Sequence, residues 1–287
     1  MVTTAVRAAL SPSRAADFMQ CPLLYRFRVV DRLPQAPSSA AARGTLVHAV
    51  LERLFDLPAD QRTYDAARDL LQPQWESLLE AEPELATLFP DDNGAALATW
   101  LESAQSLLTT WFDLEDPSRL EPAERELYVE TELEDGLVLR GYVDRLDVAP
   151  DGRLRVVDYK TGRSPSELFE TKALFQMRFY ALVLWRLRGV VPSMLQLVYL
   201  GNGEVVRYSP DERELEATER KVRALWTAIA RAADTGDWRP SKSRLCGWCD
   251  FQALCPEWGG TPPPLPEHAA ELAVDPAVSA AVFPAEE

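Results

Sequence analysis

The four cysteines of this chain stand in only two places, Cys21 and the group Cys246, Cys249 and Cys255. The last three are close enough in sequence to share one ligand. Cys21, 225 residues before Cys246, can join them only if the fold carries the C-terminal segment back to the first helix. Four cysteines are too few to staple a chain of 287 residues by disulfides, and their clustering points to metal. Four thiolates suit a tetrahedral zinc or a [4Fe–4S] cluster. The spacing matches neither the ferredoxin runs nor the paired zinc units, so iron–sulfur and zinc both stay open on the residues alone. The expectation is a clasp that ties the N-terminal helix to a module at 239–258.

Composition allows a packed core, with 47% hydrophobic and 26% charged residues, and no apolar run is long enough to span a membrane. The N-terminus lacks the apolar stretch of a secretory signal, so a cytoplasmic setting is expected. A net charge of −15 argues at first against a nucleic-acid partner. Its distribution argues otherwise. Residues 56–135 carry −17 and the tail 257–287 carries −6, which leaves +8 on the rest of the chain. One reading is an ordinary solvated acidic face. The other is that the acidic parts lie away from a groove that binds a polyanion.

Ser11 and Pro12 open a short helix that ends near Cys21. Pro34 to Ala42 reads as a loop before a helix at 43–57. Apolar spacing predicts helices at 64–80 and 94–112, the acidic insert. The period then shortens to that of strands at 126–133, 137–148 and 153–160, broken by Asp135-Gly136 and Asp151-Gly152. A helix at 171–188 follows, then strands at 194–200 and 203–208 and a helix at 211–234. The main folded body is expected over 1–258, and the proline-rich acidic tail 259–287 is expected to be disordered. No phosphate-binding P-loop motif occurs, so no helicase or ATPase engine is expected here.

The most informative stretch runs from Gly141 to Asp147 and from Val157 to Gly162. A hairpin centred on Asp151 pairs Asp144 with Asp158, and Lys160 points to the same side as Asp158. Opposed side chains have Cβ atoms ~4.5–5.5 Å apart, so two carboxylates there repel. A hard divalent cation such as Mg²⁺ would remove the repulsion, polarise a phosphoryl oxygen and lower the pKa of a water. Lys160 could then stabilise charge growing on phosphorus. The competing reading is an exposed hairpin with Asp, Lys and Arg pairs on its wet face. Two helices carry further polar pairs one turn apart: His48 with Glu52, and Gln176 with Tyr180, preceded by Lys172.

Taken together, these residues resemble the RecB/AddB-type branch of the PD-(D/E)XK nucleases, and within it the stand-alone iron–sulfur exonucleases, a group that includes CRISPR-associated four-cysteine nucleases. The matching pieces are Gly44 to His48, Gly141 to Asp144, Asp158-Tyr159-Lys160-Thr161-Gly162, Gln176 to Tyr180, and the four cysteines. They fall in the family's order from residue 11 to about 256. The resemblance implies an α/β fold of restriction-endonuclease type, a central mixed sheet flanked by helices, with a variable helical insert at 56–125 and a C-terminal four-cysteine clasp. It implies Mg²⁺ or Mn²⁺ held by His48, Asp144, Asp158 and the carbonyl of Tyr159, with Lys160 as catalytic lysine and Gln176 and Tyr180 in support. It also implies a [4Fe–4S] cluster on Cys21, Cys246, Cys249 and Cys255, and it points to Glu130 as an accessory glutamate. The implied activity is hydrolysis of DNA, exonucleolytic on single strands, in repair or recombination beside a helicase or repair partner. The basic body, including Arg140, Arg145, Arg163, Lys172 and Arg178, is expected to face the DNA. Two other functions fit the same residues: a non-catalytic DNA-binding subunit of a helicase, and a zinc-clasped nuclease acting on RNA.

Overall fold

A computed structural model describes residues 8–90, 94–164, 167–267 and 269–274, the side chains of 167–172, 270 and 274 excepted. Six strands form one mixed sheet: β1 (Ala9–Leu10), β2 (Glu124–Glu132), β3 (Val138–Val148), β4 (Leu154–Lys160), β5 (Met194–Tyr199) and β6 (Glu204–Tyr208). The helices are α1 (Pro12–Gln20), α2 (Pro22–Tyr25), α3 (Ser39–Leu54), α4 (Tyr64–Ala81), α5 (Ala95–Leu114), α6 (Glu167–Arg188), α7 (Glu212–Thr235) and α8 (Ala269–Val274). This is the mixed α/β architecture expected from the sequence.

The long strand β3 organises the sheet. β2 runs antiparallel along the whole of one edge, from Glu132 opposite Val138 to Glu124 opposite Leu146. The other edge is shared. β1 pairs in parallel at Val138 and Leu139, and β4 pairs antiparallel from Arg145–Val157 to Val148–Leu154. Between them the backbone from 140 to 144 is covered by side chains. A Cβ on Gly141 would stand 2.8 Å from the Tyr180 ring and 3.4 Å from Pro12, so only glycine admits the ring that caps this gap. β4 then continues through α6 to β5, which lies parallel to it. The hairpin register is the one centred on Asp151, and Asp144 and Asp158 stand one step beyond its last recorded pair.

The sheet is sandwiched between two apolar layers. One lies under α1, α2, α6 and α7 and includes Val156, Phe179, Leu182 and Val222. The other lies under α3, α4 and α5 and includes Val157, Tyr159, Val198, Leu108 and Trp111. The acidic insert therefore belongs to the body: Trp111 and Leu108 are fully buried against β4 and β5. Its acidic residues follow helical spacing on the outer face, while Trp75, Trp100 and Trp111 turn inward.

Three local expectations need correction. α3 begins at Ser39, four residues earlier than the spacing suggested, because Ser38 caps it by accepting from the Ala41 amide. β1 was not expected, since two residues cannot show a period. The tail is ordered as far as it is described: Arg26 donates to the Pro263 carbonyl at 2.5 Å, and Tyr25 donates its hydroxyl to the Ala273 carbonyl at 2.9 Å. Ala269 and Ala273 are buried in the α1/α2 layer, so two small apolar residues one turn apart anchor what the proline content suggested was loose. Residues 275–287 lie outside the described part.

Candidate metal and nuclease site

The site forms where β3 and β4 part. α3 brings His48 to it, its opposite face held by the fully buried Leu46, Val47, Val50 and Leu54. His48 Nε2 lies 3.0 Å from the Tyr159 carbonyl, and Nδ1 lies 3.6 Å from both Glu126 Oε1 and Asp144 Oδ2. Asp144 is fixed in turn by the Tyr159 amide, which donates to its Oδ2 at 2.7 Å. With Nε2 bonded to a main-chain carbonyl, Nδ1 is the nitrogen that faces the carboxylates, an arrangement usual for a metal-ligating histidine. The expectation that Tyr159 offers its carbonyl to the metal thus meets a carbonyl already engaged in orienting His48.

On β4, Asp158 is 2% exposed, and Lys160 Nζ stands 2.7 Å from its Oδ2. The ion pair lacks hydrogen-bond geometry, so Asp158 Oδ2 is buried without a hydrogen-bond partner. Gln176 on α6 orders the pair. Its carbonyl oxygen accepts from Lys160 at 3.0 Å, and its amide nitrogen lies 3.2 Å from both Asp158 Oδ1 and the Tyr180 hydroxyl. Sequence reasoning brought His48, Asp144, Tyr159, Asp158, Lys160, Gln176 and Tyr180 forward, and all seven meet here.

Glu126 was missed. It takes the left-handed backbone conformation (φ 43°), uncommon for a residue with a side chain, between the pairs Arg125–Arg145 and Leu127–Val143. By register it stands opposite Asp144. The same symmetry argument that paired Asp144 with Asp158 would have found it, had the hairpin at Asp135 also been treated as centred on its turn. Glu130, the accessory glutamate expected instead, lies four residues further along β2, opposite Arg140, and accepts from Tyr128 at 2.6 Å.

The electrostatics follow from crowding. Burial disfavours a charged His48, but Asp144 and Glu126 outweigh it and raise its pKa to about 9. Burial, then the neighbouring Asp158 and Glu126, lift Asp144 well above the usual carboxylate range. Burial also disfavours the Lys160 ammonium, yet Asp158 and Asp144 hold its pKa above the ordinary value. Without a cation the site retains protons, and a cation that binds must displace them.

The donors fit a hard divalent ion. One ligand atom each from His48, Glu126 and Asp144 lie within 4.8 Å of one another, close to the ~4.2 Å between opposite ligands of an octahedral Mg²⁺. Asp158 adds a buried carboxylate whose charge Lys160 shares at 2.7 Å.

The cysteines also converge. Cys21, Cys246, Cys249 and Cys255 line one cavity with Leu23, Leu24 and Phe27, and all four are free of disulfides. Cys21 Sγ accepts from the Ser241 amide and Cys246 Sγ from the Ser243 amide, each at 3.3 Å.

The residues expected to face DNA fare differently. Arg145 is 1% exposed and points into the layer under α5. Arg178 lies over the Tyr208 ring, 4.7 Å from its centre, and donates to the Tyr208 hydroxyl at 2.9 Å. Strand alternation explains the first, since Arg145 follows Asp144 and must face the other way. Helix geometry explains the second, since Arg178 is two residues from both Gln176 and Tyr180. Arg140 belongs to the strip with Glu130 and Tyr128. Arg163 is exposed beside the Gly162 turn that packs on Gly201. The Lys172 side chain lies outside the described part.

This constellation of fold and site has a counterpart among known proteins: the model of the PD-(D/E)XK nuclease superfamily matches residues 9–256, and the chain belongs to that superfamily. It is a nuclease by that membership, of a kind that uses divalent metals. Two relatives are called Gene 69 protein. That of Mycobacterium phage D29 is 28% identical over 276 residues, covering 86% of this chain and 96% of its own length. That of Mycobacterium phage L5 is 22% identical over 286 residues, covering 86% and 95%. The crystal structure of SSO0001 overlaps 90% of this chain and 89% of its own, at 17% identity and a TM-score of 0.38. Among the described residues no helix is long and apolar enough to cross a membrane.

Proposed function

We propose that this chain hydrolyses phosphodiester bonds of DNA, acting as an exonuclease on single-stranded ends in repair or recombination, beside a helicase or repair partner. The observation that carries the reading is the convergence of the buried Asp158 carboxylate, paired with Lys160 at 2.7 Å and braced by Gln176, with His48, Glu126 and Asp144. His48, Glu126, Asp144 and Asp158 would hold Mg²⁺ or Mn²⁺, which when bound polarises a phosphoryl oxygen and lowers the pKa of a water. Lys160 stands where it can orient the attacking water and then donate to the oxygens of phosphorus as charge builds on them. Gln176 keeps the ammonium of Lys160 pointed at that position by accepting from it, and Tyr180 braces Gln176 from behind. A nucleic-acid substrate and thiolate ligands suit a reducing, cytoplasmic setting.

The four cysteines are proposed to hold a [4Fe–4S] cluster. Two features support a shared ligand: one common cavity and amide donors to the sulfurs.

Incubation of the purified chain with end-labelled DNA and RNA strands and Mn²⁺ tests the activity. Cleavage of DNA, lost in Asp158→Ala and reduced roughly 10²–10³-fold in Lys160→Ala, is the expected result. Near-wild-type turnover in either variant would overturn the assignment. Brown protein that bleaches and melts earlier in Cys21→Ser supports the cluster; colourless protein with stoichiometric zinc refutes it.

A further inference from the structure

Two tyrosines beside the carboxylates have no part in the chemistry above. Tyr142 lies two residues before Asp144 on β3, so strand alternation puts it on the same side, ~6.8 Å along the strand. Tyr128 lies directly opposite Tyr142 on β2, two residues after Glu126. Their ring centres are 5.2 Å apart and the planes are tilted by 56°. Tyr128 is 45% exposed, an unusual position for a ring of this size. Its hydroxyl donates to Glu130 at 2.6 Å, which ties down the edge of the ring and leaves ring surface to solvent. A cross-strand aromatic pair would stabilise this ribbon anywhere along it. Its place, one alternation from Glu126 and Asp144, brings aromatic surface to where a base falls when its phosphate lies against the carboxylates.

We propose that Tyr128 and Tyr142 form a stacking subsite for an unpaired base next to the scissile phosphate. The inference rests on the nuclease reading above and names the feature of the substrate that this side of the site recognises. Bases expose their faces only at ends and in single strands, and a ring reads any of them, because every base has a π-face. Arg140, opposite Glu130 at the far end of the same strip, also reaches the Tyr128 hydroxyl and helps hold that ring in place. The subsite selects frayed or single-stranded ends with little sequence preference.

The test uses the full chain and a single strand carrying terminal 2-aminopurine, titrated with Ca²⁺ present. Stacking quenches the fluorescence. The variant Y128A/Y142A should lose the quench and bind roughly 5- to 100-fold more weakly, whereas Y128F/Y142F should keep both. In a parallel Mn²⁺ assay, an abasic residue beside the scissile bond should raise KM for the wild type and leave the alanine variant unaffected. Equal quenching by wild type and the alanine variant overturns the proposal, and so does an equal abasic penalty. If the double variant fails to fold, Tyr128→Ser at the half-exposed ring gives the same comparison. Wild type that quenches but cuts nothing refutes the nuclease reading and leaves stacking in place. Wild type that cuts without quenching does the reverse.

Discussion

Two buried clusters of charge occupy the two sides of the same few residues of β3 and β4, and they are built to opposite ends. On the α5 side, Arg145 is held by both carboxylate oxygens of Glu115 at 2.8 Å, lies 3.2 Å from Asp147 through Nε, and donates to the Tyr159 hydroxyl. Asp147 also pairs with Arg155 at 2.8 Å. Two guanidinium groups thus face two carboxylates. On the other side three carboxyl groups, those of Glu126, Asp144 and Asp158, crowd around Lys160 and His48. One cluster closes on itself. The other sets three carboxyl groups around one ammonium and one imidazole, an excess of acid that a cation would complete. Burial of charge therefore does not mark a functional site by itself; unbalanced burial does.

This contrast can be broken most directly at Arg145. Arg145→Ala leaves Glu115 without its two-pronged partner and Asp147 with Arg155 alone, and should cost about 3–5 kcal/mol in urea unfolding. Asp158→Asn in metal-free protein relieves repulsion and should leave the unfolding midpoint unchanged or raised. If the Asp158 variant proved the less stable of the two, the distinction between a structural and a functional cluster would fail.

A cation should sharpen it. Mn²⁺ at a hundred times its dissociation constant should add about 2.7 kcal/mol to the unfolding free energy. Glu126→Gln should remove most of that increment. Glu115→Gln, which removes a carboxylate on the balanced side, should retain it. Calorimetry with and without Mn²⁺ makes the comparison, and equal responses from the two variants would place the ion elsewhere.

The smallest effect is acid sensitivity. Burial works against an ionised Glu115, but Arg145, Tyr159 and Trp111 outweigh it and hold its pKa below the ordinary value. A carboxylate depressed in the folded state contributes stability above its unfolded pKa and loses it as pH falls through the folded one. Glu115→Gln should therefore be less stable than wild type at pH 7, and the two should converge as pH falls below the glutamate range. A gap that widens on acidification would contradict the sign.

Much of the fold and most of the site are legible in the residues. Hairpin symmetry about Asp151 gives the register that sets Asp144 beside Asp158, because a two-stranded ribbon leaves little freedom once its turn is known. Arg145 shows where legibility ends. Basic composition drew it toward DNA, while alternation along the strand, available from the same sequence, put it on the opposite side from Asp144. Its partner Glu115 lies 30 residues earlier at the end of α5, and no local pattern announces that contact. Glu126 was hidden for a different reason: its left-handed backbone interrupts the alternation by which strands are read. α8 escaped because proline content describes the segment before it and says nothing of two buried alanines after it.

The meeting of the chain's two ends also sets a timetable. Tyr25 bonds to Ala273 and stacks on Trp238 at 5.9 Å, and Leu23, Leu24 and Phe27 line the cysteine cavity with Ser241 and Cys255. On a ribosome adding 5–20 residues per second, those early apolar groups wait roughly 10–50 s for the segment that completes their burial. β1 and β3 can pair well before then, so the emerging chain passes through a stage with its sheet begun and its first two helices still uncovered. Throughout that interval the nascent protein presents sticky surface to its neighbours, and substitutions that slow translation between β3 and α7 would lengthen the exposure without altering the finished molecule.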